Sequence, residues 1–143
     1  IVGKKTAAAM GISLSTGNAT GSSSGYSSSD EYLLAKCVYA EARGEPYVGQ
    51  VAVAAVVLNR VKSASFPNTI AGVIYQPWAF TAVNDGQINL SPNATAIQAA
   101  KDALNGWDPT NGCLYYYNPS TATSKWIWSR TVMLSIGKHN FAK

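Results

Sequence analysis

The sequence predicts an α+β domain, mainly helical with one small β-sheet. Three observations carry this. Residues 31–43 place Leu34, Cys37, Val38 and Glu41 at the i, i+3, i+4, i+7 spacing of one helix face. Val51–Leu58 is an unbroken run of Val, Ala and Leu. Leu114–Tyr117 is an aromatic run bounded by Gly112 and Pro119, as a strand would be. Several helices followed by a few strands, without strict alternation, fit a segregated α+β architecture.

The elements follow in order. Ser29 or Asp30 can cap a helix over Glu31–Arg43, Glu31 suits its positive end, and Gly44 and Pro46 end it. A second helix is expected over Val48–Lys62. It is apolar on every side, so it belongs inside the molecule. The valines would also suit a strand, but the length and the alanines favour helix. Phe66-Pro67-Asn68 breaks the pattern, Thr69–Tyr75 suits a short helix, and Gln76–Gly86 reads as irregular and aromatic. Asn93–Asn105 is expected to be a helix between Ser91-Pro92 and Gly106. Leu114–Tyr117 is the best strand, with Trp126–Trp128 and Arg130–Ser135 pairing with it or leading into a last element.

The first thirty residues differ in kind. Residues 13–29 are almost all Ser, Gly, Thr and Asn. They have too few apolar side chains to offset the entropy of ordering, and are expected to be a flexible linker. Within them Gly21-Ser22-Ser23-Ser24-Gly25 matches the Gly-x-Ser-x-Gly nucleophile elbow in letters only, because that elbow needs a strand before it and a helix after it. The folded domain is therefore expected to occupy residues 30–143.

Composition narrows the chemistry. Of 143 residues, 47% are hydrophobic and only 13% charged. The surface must be built largely from hydroxyls, amides and Tyr, which suits a neutral, hydroxyl-rich ligand. The net charge is +4, from 11 Lys and Arg scattered along the chain. The densest clusters are Lys4-Lys5 and Arg60 with Lys62. A nucleic-acid module concentrates its basic residues on one face, so no nucleic-acid partner is expected. Diffuse attraction to an anionic wall polymer fits better. One histidine and two cysteines do not make a zinc site, and no cofactor or metal is expected. Cys37 and Cys113 form either one bridge or two small buried thiols, a matter of geometry that spacing does not decide. No apolar run is long enough to span a membrane. Any export signal is expected upstream of Ile1.

The seven carboxylates are the informative inventory. Asp30 and Glu31 sit at a helix start, Asp85 in an Asn-Asp-Gly turn, Asp102 beside Lys101, and Asp108 before Pro109. Glu41 differs, because it lies on the apolar face near the end of its helix. A carboxyl held against apolar atoms resists ionisation, and an acid still protonated near neutral pH is what glycoside cleavage requires. The alternative is an ordinary ion pair with Lys36 or Arg43.

Residues 30–143 resemble the SleB-type cell wall hydrolase family, the spore cortex-lytic enzymes. The likeness is carried by Val38-Tyr39-Ala40-Glu41-Ala42-Arg43-Gly44-Glu45-Pro46-Tyr47 and by Gly49–Val61. It continues in Phe66-Pro67-Asn68-Thr69-Ile70, Leu114-Tyr115-Tyr116-Tyr117-Asn118-Pro119 and Ile136-Gly137-Lys138-His139-Asn140-Phe141. Separately, Gly3–Gly11 resembles the end of a peptidoglycan-binding repeat, whose last helix opens with Gly-x-x-Thr. That would make residues 1–12 the remnant of an N-terminal wall-binding domain; the alternative is a short amphipathic stub.

The resemblance implies a lysozyme-like, lytic transglycosylase-like fold with its catalytic Glu at the end of the first helix, here Glu41. The implied substrate is spore cortex peptidoglycan containing muramic-δ-lactam, cleaved between N-acetylmuramic acid and N-acetylglucosamine at germination. The implied setting is an exported monomer in the cortex or cell wall. Hydrolysis of the lysozyme type commonly uses two carboxyl groups, and the only other acid nearby in sequence is Glu45, just before Pro46. Non-hydrolytic cleavage with one carboxyl group is therefore preferred to muramidase chemistry. Sugar rings stack on aromatic faces and pair with amides, which makes Trp78, Phe80, Asn84, Tyr116, Asn118 and Trp126 the expected substrate-binding residues, with Tyr115 and Trp128 in reserve. Tyr116, on the opposite face of the strand from Tyr115 and Tyr117, is expected to face the cleft, and His139 to be structural. A non-catalytic peptidoglycan-binding module is the reading from another class, separable by whether Glu41 matters.

Overall fold

The computed structural model describes residues 26–77 and 79–143. The expected wall-binding remnant, the linker up to Gly25 and Trp78 lie outside the described residues. The first helix, α1 (Ser28–Ala42), starts earlier than expected. Ser27 is its cap, accepting from the Asp30 amide at 3.1 Å, and the Asp30 carboxylate accepts in return from the Ser27 amide. Reciprocal capping satisfies two backbone donors that a helix start leaves free. Ser28 and Ser29 are therefore helical rather than linker, and Tyr26 already packs against the core.

Gly44, at φ +88°, turns the chain into α2 (Tyr47–Lys62). Residues Val51–Leu58 of α2 are all buried. One side of α2 (Val51, Ala54, Val57, Leu58) meets Leu34, Ala35, Cys37 and Val38 of α1, Ile70, Val73 and Ile74 of α3 (Ile70–Ile74), and Ala96, Ala99, Ala100 and Ala103 of α5 (Ala94–Leu104). The other side (Ala52, Val53, Val56) meets Ala42, Cys113 and Phe141. A helix serving two cores has no face left for polar residues, which explains the run that sequence showed. The alanines of α5 let it lie close to α1 and α2, since interaxial distance follows side-chain size. Thr69 and Asn93 cap α3 and α5 through their side-chain oxygens. Between these two helices come a single helical turn, α4 (Thr81–Asn84), inside the Gln76–Gly86 stretch expected to be irregular, and then a 3-10 turn over Gln87–Asn89.

The sheet is antiparallel with the order β1-β3-β2, where β1 is Tyr115–Tyr117, β2 Val132–Ile136 and β3 His139–Ala142. The last strand in sequence lies in the middle, pairing Tyr116 with Phe141 and Ile136 with His139. Of the two alternatives for Trp126–Trp128 and Arg130–Ser135, pairing with β1 is not found, and both segments lead into the last strand. Trp126–Trp128 is not strand: Ser124 caps a helical turn, α6 (Lys125–Trp128). The 132–136 strand pairs with β3 and not with β1. The β2–β3 hairpin turns through Gly137-Lys138, with Gly137 at φ +56°, the glycine-first pattern of a tight hairpin.

Both cysteines are free and buried, Cys37 in the first core and Cys113 in the second. Burial pushes both thiols up, so they stay protonated and behave as small apolar groups. Among the described residues no helix is long and apolar enough to cross a membrane.

Candidate active site

Glu41 sits in the last turn of α1, and both of its carboxylate oxygens are engaged from other elements. The Tyr116 hydroxyl on β1 donates to Oε1 at 2.6 Å. The Ala82 amide, in the first turn of α4, donates to Oε2 at 3.1 Å, with the Thr81 hydroxyl at 3.5 Å from the same oxygen. A helix start has amides with no intrahelical partner, and α4 spends one on Glu41. The expectation of a mainly apolar setting is thus corrected: Glu41 is half-buried and hydrogen-bonded from two elements. It pairs with neither neighbouring cation. Arg43 donates to Gln87 and lies over the Tyr39 ring, and Lys36 lies over Tyr32.

Tyr116 is braced on several sides, by the rings of His139 at 5.0 Å, Phe141 at 6.0 Å and Phe80 at 6.4 Å. Burial, and then the Glu41 charge, push its phenol well above the ordinary range, so it remains a proton donor to Glu41. Close by is Arg60, which with Lys62 forms one of the densest basic clusters in the sequence and is only 8% exposed. Its guanidinium stands over the rings of Phe66, Phe80 and Tyr115 at 5.1–5.5 Å, and its Nε donates to the Leu114 carbonyl at 2.7 Å. It ties the end of α2 to the strand that carries Tyr116.

The other expected residues divide. Phe80 is 3% exposed and backs Tyr116, so its ring has no face free for a sugar, and its expected binding role is corrected to support. Asn84 is exposed at the end of α4, the turn that holds Glu41. The Asn118 carboxamide accepts from the Ser120 amide and its carbonyl from Thr121 and Ala122, so its groups shape a turn rather than reach outward. Trp126 is 53% exposed, edge-on to Tyr115 at 5.0 Å, with the Arg130 guanidinium 5.1 Å from its ring. Trp128 is 49% exposed, and its indole N–H is engaged by the Ala122 carbonyl.

Two residues of the site were not singled out by sequence. Ala82 contributes only its backbone, which no residue type announces, and Thr81 carries no pattern. His139 was read as structural, and it does brace Tyr116. Burial lowers its pKa while Glu45 and Glu41 pull the other way. Glu45 accepts at Oε1 from the Lys138 amide at 3.0 Å, which commits its carboxylate to the hairpin turn.

Residues 44–142 match the family model described as Cell Wall Hydrolase, a segment that starts just after Glu41. A spore cortex-lytic enzyme of Bacillus cereus is 67% identical over 119 residues, which cover 83% of this chain and 46% of that protein. The Bacillus subtilis spore cortex-lytic enzyme is 61% identical over 119 residues, covering 83% of this chain and 39% of that protein. The chain thus spans less than half the length of these relatives. A solved structure described as the catalytic domain of the germination-specific lytic transglycosylase SleB from Bacillus anthracis superposes with a TM-score of 0.81 at 65% identity. The match covers 85% of this chain and all of that one. The α+β fold is therefore that of the SleB catalytic domain, and the chain belongs to the cell wall hydrolase family.

Proposed function

We propose that this chain cleaves spore cortex peptidoglycan as a lytic transglycosylase, between N-acetylmuramic acid and N-acetylglucosamine, during germination. Glu41 serves as its one general acid and base. The names of the similar proteins support the substrate and the reaction class. The observation that carries the reading is the division of labour between two acids. Glu41 is oriented by Tyr116 and Ala82, while Glu45, the other acid near it in sequence, is engaged at the hairpin.

The chemistry follows from that orientation. The short bond from Tyr116 fixes Oε1 and the plane of the carboxyl group. Oε2, held by the longer bonds, carries the working proton. Protonated Glu41 gives this proton to the glycosidic oxygen as the bond to the muramic C1 breaks. The glucosamine leaves as an alcohol, and C1 takes oxocarbenium character. The Glu41 carboxylate then removes the proton of the muramic C6 hydroxyl, whose oxygen closes onto C1. The product is a 1,6-anhydro end, Glu41 is again protonated, and no water is consumed. Asn84, Trp126 and Trp78 contribute the sugar contacts, with muramic-δ-lactam as the recognised feature. The enzyme acts as an exported monomer in the cortex.

Mass spectrometry of products from purified cortex tests this. Anhydromuramic ends are expected, and reducing muramic ends would mean hydrolysis instead. Glu41→Gln should lower cleavage by ~10²–10⁴-fold, the usual contribution of one positioned acid–base group, with its circular dichroism unchanged. A folded Glu41→Gln protein that cleaves at near the original rate would remove Glu41 from the mechanism.

A further inference from the structure

Glu45 lies four residues beyond Glu41, across the Gly44 turn, and its carboxylate points at the far end of the chain. Its Oε1 accepts the Lys138 amide at 3.0 Å, and a Cβ added to Gly137 would come within 2.1 Å of that same oxygen. The carboxylate therefore occupies the space that a side chain at 137 would need. The base of Glu45 is fixed as well: its amide donates to the Ala42 carbonyl at 3.0 Å and its carbonyl accepts from the Gln50 side chain at 3.2 Å. Close packing of Ile136 against Gly49 adds a second contact between the hairpin and the start of α2.

What the turn carries matters. His139 follows Lys138 directly, and its ring stands edge-on to Tyr116 at 5.0 Å. The next β3 residues pair with β1, Asn140 with Tyr117 and Phe141 with Tyr116. Tyr116 in turn donates to Glu41. We propose that Glu45 is a positioning residue: its carboxylate seats the Gly137-Lys138 turn, so that β3 and His139 hold the Tyr116 phenol against Glu41. This rests on the reading of Glu41 as the catalytic acid. It gives the second acid a geometric role, as a hydrogen-bond acceptor of the right length, and not a chemical one as nucleophile or base.

Two substitutions at Glu45 separate these roles. Gln keeps the reach and an acceptor oxygen but loses the charge; Asp keeps the charge but withdraws the acceptor by one methylene. With a soluble cortex fragment as substrate, Glu45→Gln should stay within about threefold of the parent kcat, while Glu45→Asp should lose roughly ten- to a hundredfold, the scale set by ångström-sized misplacement of a catalytic group. KM should change little in either, and both should melt as folded proteins. The opposite order, Asp active and Gln reduced to the level of Glu41→Gln, would make Glu45 a chemical participant and overturn the proposal. Full activity in Glu45→Asp, or a loss that only tracks the unfolded fraction, would overturn it too. Should Glu41→Gln itself remain active, the reading of Glu41 fails on its own, whatever the Glu45 variants do.

Discussion

Tyr116 shows how one side chain joins fold and chemistry. Its ring is braced by Phe80, His139 and Phe141, while its hydroxyl is spent on Glu41. Tyr116→Phe keeps the ring and removes the donor. A hydrogen bond to a charged group is worth about 1.5–3 kcal/mol. If that orientation is realised in the transition state, kcat should fall roughly ten- to a hundredfold, while the melting temperature falls by several degrees at most and the protein stays folded at the assay temperature. An unchanged kcat would show that Glu41 needs no help from the phenol. Strand alternation foretold that Tyr116 faces away from Tyr115 and Tyr117. It did not foretell the arrival of Glu41, a partner 75 residues away. Phe80 was misread because aromatic residues suit a sugar subsite and a core equally well, and only the fold decides which. The burial of Arg60 was not legible either, because a guanidinium covered by aromatic rings leaves no mark in sequence.

At the scale of elements, the helices were legible because each carries its own signals. Asn93 caps α5, Gly44 ends α1, and the apolar run of α2 announces burial. Strand β3 was not, because its four residues (His139, Asn140, Phe141, Ala142) show no alternation and become a strand only between β1 and β2. The loop leading into β1 was equally unmarked. Asp108 accepts from the Thr110 amide and hydroxyl, the Gly112 amide and the Asn59 side chain, at 2.6–2.9 Å. Burial pushes its carboxyl up, but these bonds outweigh that and hold it below the ordinary value. A group whose folded pKa is depressed adds stability above its unfolded pKa, about 4, and loses it as pH falls through the folded one. Asp108→Asn turns an amide toward these donors and should cost about 1–3 kcal/mol at neutral pH. The difference from the parent should shrink as acid titrates Asp108. Denaturant melts of both proteins from neutral pH to below 4 check this, and a gap that persists undiminished would assign the loss to something other than the charge.

At the scale of the whole molecule, α2 divides two cores, one between the helices and one under the sheet, and Glu41 stands near where they meet. Tyr116 packs against both, so it bridges them. Composition placed the boundary at Asp30, since Ser and Gly dominate up to Ser29 and serine looks the same in a linker and in a cap. Among the described residues, specific contacts begin before Asp30, with Tyr26 on the core and Ser27 capping α1. Removing residues 1–25 should therefore leave the melting temperature and the cleavage of soluble cortex fragments close to those of the full chain. Removing residues 1–29 should cost about 1 kcal/mol or more, because it deletes the cap and its partner bond, along with the ring of Tyr26. The site should feel the second cut as well, because α1 carries Glu41 at its other end and packs against α2 and α5 along its length. Equal stability in the two truncations would mean that the Ser27 cap contributes nothing. A large loss on removing residues 1–25 alone would move the start of the folded unit upstream of Tyr26.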